Sequence, residues 1–87
     1  MPQLEEILSP EQRQAFNEAI DRDLARAQRA LESLQGRRLN REQRTNFERV
    51  QTFMQQATDS RKVDLPRAKN LADRASVLAD DLLRTAQ

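Results

Sequence analysis

Leu65–Ala86 reads LPRAKNLADRASVLADDLLRTA. Leu65, Ala68, Ala72, Ala75, Ala79, Leu82 and Ala86 follow one another at intervals of three, four, three, four, three and four. That spacing puts all seven on one face of an α-helix. Four consecutive members of the seam are alanine, so a neighbouring helix backbone can approach closely, while Leu71 and Leu78 widen the stripe on one side. Asp64 and Pro66 mark the start, and the helix is predicted over about 66–85.

Working back from this seam, the chain writes nearly the same phrase twice: LSPEQRQAF (Leu8–Phe16) and LNREQRTNF (Leu39–Phe47). Leu, Glu, Gln, Arg and Phe recur at the same offsets, and both copies read as helix starts. Ser9 and Asn40 are N-caps, Gln12 and Gln43 complete capping boxes, and Pro10 occupies a first helical position. Glu11 and Glu42 sit near the positive ends of the helix dipoles. No third copy follows, so the chain is not a regular repeat array.

The first helix is predicted over about 10–35, with Phe16, Ile20, Leu24, Ala27, Leu31 and Leu34 on its apolar face and Gly36 as its left-handed terminator. The second is predicted over about 41–60, with the stripe Phe47, Val50, Met54 and Ala57 and with Phe53 on its flank. Asp59–Asp64 is the turn, where Arg61 and Lys62 are placed to meet exposed helix-end carbonyls. Short connections make sequential helices antiparallel neighbours. The expected fold is all-α, an antiparallel up-down-up three-helix bundle over 9–87. Residues 1–8, with Leu4, Ile7 and Leu8, form an apolar lead-in or the remnant of a linker. The first helix is the longest, so one of its ends is expected to overhang.

Composition narrows the chemistry. The chain of 87 residues has no Cys, His, Trp or Tyr, and one Gly. Thiolate chemistry, imidazole general base catalysis and most transition-metal sites lack their side chains. A Gly-rich phosphate loop is ruled out by the single Gly. Asp80–Asp81 and Asp21–Arg22–Asp23 are carboxylate pairs whose members point about 100° apart on a helix. They read as solvated surface charge. The expectation is a protein that is not an enzyme, with no cofactor, no metal and no small-molecule substrate. Net charge is +1, which sets up no global field toward nucleic acid or membrane. No apolar run approaches the length of a membrane span, and the N-terminus does not read as a secretory signal. Taken as a whole protein, the chain would be cytoplasmic; taken as part of a longer exported one, it would belong to the envelope or periplasm.

One local charge imbalance stands out. Arg37, Arg38, Arg41 and Arg44 fall within eight residues against the single acid Glu42. They suit phosphate or an acidic partner, although the near-neutral domain argues against nucleic acid. Two of them also complement the C-terminal end of the first helix. A second feature is apolar. Phe53 and Val77 lie beside their helices' main stripes, and the third helix carries more small apolar surface than one neighbour needs.

VDLPRAKNLADRA (Val63–Ala75) resembles the turn and second helix of a tetratricopeptide-type hairpin. Asp64 and Leu65 stand at the turn, Ala68 and Ala75 match the two small residues where the helices cross, and the likeness reaches back to Ala57. Val63 stands where the family usually has Gly, and Leu65 where it prefers Tyr. The whole chain also looks like the helical modules near the C-termini of bacterial envelope-associated proteins of unassigned function. Both resemblances imply an interaction or scaffold module. The expected function is therefore a non-catalytic module that binds a protein partner or a second copy of itself through Phe53 and Val77. The alternative is a small nucleic-acid-associated protein using the Arg37–Arg44 turn.

Overall fold

A computed structural model describes residues 8–86. They form three helices, α1 (Pro10–Leu34), α2 (Arg41–Ser60) and α3 (Leu65–Thr85), in an antiparallel up-down-up arrangement. Met1–Ile7, including Leu4 and Ile7 of the expected lead-in, lie outside the described residues; Leu8 is half-buried and packs against the core.

Local chemistry fixes the helix ends. Both capping boxes form: Gln12 N donates to Ser9 Oγ at 3.0 Å, and Gln43 N donates to Asn40 Oδ1 at 2.7 Å. The glutamine side chains return the favour, with Oε1 of Gln12 and of Gln43 each accepting from its cap's backbone N–H at 2.9 Å. Gly36 takes φ +83°, the left-handed conformation that ends α1. At the start of α3, Asp64 Oδ1 accepts from Arg67 N at 3.1 Å.

The seam is buried from Leu65 to Leu82, and Ala86, just past the end of α3, is half-buried. Ala68, Ala72, Ala75 and Ala79 have no exposed surface. Two clusters stack along the bundle. The first joins Ile20, Ala57, Leu65, Ala68, Leu71 and Ala72; the second joins Ala27, Ala30, Leu31, Val50, Ala75 and Ala79. Each draws on all three helices. Small residues on both sides let α1 and α2 each lie close on α3, whereas α1 and α2 touch one another only sparsely. The small apolar surface of α3 is thus consumed by two neighbours, and the surplus expected from the sequence is not on that seam.

A polar clasp ties the far ends of α1 and α2. Arg61 Nε donates to Asn17 Oδ1 at 3.1 Å, and its Nη2 donates to the Asn17 carbonyl at 3.1 Å and to Asp21 Oδ1 at 2.7 Å. Arg61 therefore meets a carbonyl of α1 rather than the end of its own helix. Asp21 is two-thirds exposed, so solvent screens the ion pair and the clasp's main effect is to hold the helix register. At the opposite end, Gln43 Nε2 donates to the Thr85 carbonyl at 3.1 Å, joining the start of α2 to the end of α3. The surplus length of α1 lies at its N-terminus: residues 10–15 are exposed, while Leu34 is buried.

Candidate interaction site

Because α1 and α2 both lean on α3 without closing on each other, a groove runs between them. Its apolar floor is Leu24, Leu31, Phe47 and Met54. The sequence reads all four as core, but in the fold only Leu31 is buried; Leu24, Phe47 and Met54 are half-buried. Gln28, Gln51 and Gln55 are exposed along the rim. Of the ten described residues lining this groove, only Glu32 is charged, in a chain that is 33% charged. Depletion of charge around an apolar floor is the compositional signature of an interface centre. Gln28 Nε2 donates to Glu32 Oε2 at 3.1 Å, which ties that carboxylate back to its own helix.

Sequence periodicity did not single out this site. The stripes identify which face of α1 and of α2 is apolar, not how much of it a neighbour covers. The available signal was the run of glutamines at 28, 51 and 55 on otherwise charged helices.

The candidate surface read from the sequence lies elsewhere. Phe53 and Val77 line a second groove, between α2 and α3, together with Leu78. Val77 is 60% exposed. Phe53 is half-buried and packs against both core clusters, so it serves the core as well as the surface. Arg49, Asp73, Arg74, Asp81 and Arg84 surround this patch, and Arg84 Nη2 pairs with Asp81 Oδ1 at 3.2 Å. It is a charged surface with an apolar centre, unlike the α1–α2 groove.

Arg37, Arg38, Arg41 and Arg44 are all exposed around the α1–α2 turn. Arg44 Nη2 donates to the Leu39 carbonyl at 3.1 Å, which commits part of its guanidinium to the turn. The C-terminal ends of α1 and α3 and the N-terminus of α2 lie at the same end of the bundle, so their opposite partial charges offset one another around these arginines.

On the α1–α3 side, Lys69 Nζ lies 5.6 Å from the centroid of the Phe16 ring, within cation–π range. Nearby, the Asp23 carboxyl is raised above its usual range, first by desolvation and then by repulsion from Asp73; Lys69, Arg22 and Arg26 partly oppose the rise. A carboxyl raised in the folded state costs stability when ionised, so stability falls as pH rises through its folded-state value. Asp23→Asn is accordingly expected to raise the melting temperature at pH 7, with the gain shrinking as the pH is lowered toward about 3, where the acid is protonated in both states. Thermal melts of both proteins at the two pH values check this; a gain that grows in acid contradicts it.

Among the described residues, no cluster of three or more metal-binding side chains occurs, and no helix is long and apolar enough to cross a membrane. Comparison with protein-family models, curated proteins and solved structures gives no match. None of these comparisons bears on the tetratricopeptide-type or the envelope-module resemblance.

Proposed function

We propose that this chain is a non-catalytic helical interaction module. The observation that carries the reading is the open α1–α2 groove, with its apolar floor of Leu24, Phe47 and Met54 and a rim almost free of charge. A groove of this kind accepts an apolar helix face: the floor supplies burial, and the neutral rim demands no matching charges. The Phe53–Val77 patch offers a second contact surface, favoured by the exposure of Val77.

The alternative is phosphate or acidic-partner binding by Arg37, Arg38, Arg41 and Arg44. The two readings separate in one experiment. Tagged wild-type protein, the exposed double variant Gln51→Glu with Gln55→Glu, and the turn variant Arg37→Glu with Arg38→Glu are used to recover bound proteins and nucleic acid from cell extract. The groove reading expects proteins held by the wild type to fall by roughly tenfold or more on the groove variant and to persist on the turn variant, since charge placed on an apolar contact surface weakens docking. Loss only on the turn variant, with binding that fades steeply in salt, sinks the groove reading in favour of the alternative.

A further inference from the structure

We infer that the segment Leu4–Ile7 of this chain covers the apolar and basic recess at the α2–α3 turn, beside the start of α1. The recess is separate from the α1–α2 groove, and the inference does not depend on what that groove binds. It is an open hollow of about 440 Å³ whose lining includes Leu8, Arg13, Lys62, Val63 and Pro66. Val63 is 81% exposed, and Leu8 and Pro66 are half-buried.

Connectivity is the first argument. Leu8 lines the recess and packs on the first core cluster. Across a trans peptide the Cα of Ile7 is about 3.8 Å from that of Leu8, and the Cα of Leu4 is within roughly 14 Å of it. The chain itself therefore keeps both residues within reach of the recess. Leu4, Ile7 and Leu8 follow one another at intervals of three and one, a spacing that lets Leu4 and Ile7 share the side on which Leu8 packs.

Charge is the second argument. Four ionisable side chains line the recess: Arg13, Arg61, Lys62 and Asp64. Arg61 is committed to Asn17 and Asp21, and Asp64 accepts from Arg67 N at the start of α3. Arg13 and Lys62 form no ion pair among the described residues. Two helix N-termini, those of α1 and α3, lie at this end of the bundle against one C-terminus, that of α2, so the helix ends add partial positive charge. The segment brings two acids, Glu5 and Glu6, and residues 1–7 hold no Lys or Arg. Two carboxylates between Leu4 and Ile7 thus match two cations beside Val63 and Pro66.

Size selects a tethered occupant. A recess edged by a few partly covered apolar side chains offers little burial against the full entropic cost of joining two molecules. A segment already attached at Leu8 closes only a short loop, and the cost of such closure is small. A bare anion would meet the cations but leave Val63 in water.

The test is nuclear Overhauser spectroscopy on the full chain with labelled methyl groups. Cross-peaks from the Leu4 and Ile7 methyls to those of Val63 are expected. In a mixture of labelled and unlabelled protein, filtered to select contacts between chains, they should vanish. Their absence from the first experiment, or their persistence in the second, overturns the inference. Urea unfolding reads the same contact energetically. Leu4→Ser combined with Ile7→Ser should lower the folding equilibrium constant by roughly tenfold, through lost burial of two aliphatic side chains. Val63→Ser, at an exposed position outside the helices, should cost roughly threefold more in the wild-type background than where residues 4 and 7 are already serine, since side chains in contact are not additive. A serine double variant as stable as wild type, or a Val63→Ser effect equal in both backgrounds, means that these side chains do not meet and the inference falls.

Discussion

Ile20→Ala is expected to cost about 2–5 kcal/mol of unfolding free energy, toward the upper end of that range. Ile20 is fully buried and is the only α1 residue among the six buried members of the first core cluster. Truncation removes its apolar burial and leaves a cavity, and the second term depends on whether neighbours can move in. Three of those neighbours, Ala57, Ala68 and Ala72, have no side-chain rotamers with which to fill space. A domain of this size has roughly 4–12 kcal/mol of stability in all, so the variant should unfold at much lower urea concentration, as read by helical circular dichroism. A loss below about 1 kcal/mol would mean that the cluster collapses around the gap and that α1 is not held by this contact.

Ala75→Leu should be nearly as damaging, for the opposite reason. Ala75 is fully buried in the second cluster beside Ala27, Ala30, Val50 and Ala79. A larger side chain in a filled core typically costs about 1–3 kcal/mol. Here the upper part of the range is expected, because relief requires a whole helix to move away from α3. Ala75→Gly provides the contrast. It removes one methyl and lowers helix propensity, at a cost of about 1 kcal/mol for the propensity. Denaturant titrations of the pair should rank leucine below glycine. A leucine variant as stable as wild type would show that the helices are not in close approach at that position.

Both results turn on α3 lying between two partners, and this is where sequence and tertiary structure divide. Helix starts were legible because their chemistry is local: Ser9 with Gln12, and Asn40 with Gln43, act over three residues. Gly36 was legible for the same reason, since only glycine takes φ +83° without strain. The alanine seam announced close packing, and it is buried as its spacing demands. The clasp was half legible. Arg61 was placed to meet a carbonyl, but the carbonyl it meets belongs to Asn17, forty-four residues away. Sequence proximity cannot report that distance.

The candidate site divides the same way. Val77 was picked out by its displacement from the α3 stripe, and it is exposed. Phe53 was picked out by the same argument on α2, yet it also packs on both core clusters, because α3 passes on that side of α2. By itself, then, the sequence determined three helices, their ends and their apolar faces, in a chain without Cys, His or Tyr. Only the tertiary structure decided that α1 and α2 would both press onto the small residues of α3 and stay apart from each other, leaving Leu24, Phe47 and Met54 half-covered. The physical reason is that periodicity specifies which side of a helix avoids water, whereas the fraction of that side actually covered depends on how closely the backbones approach.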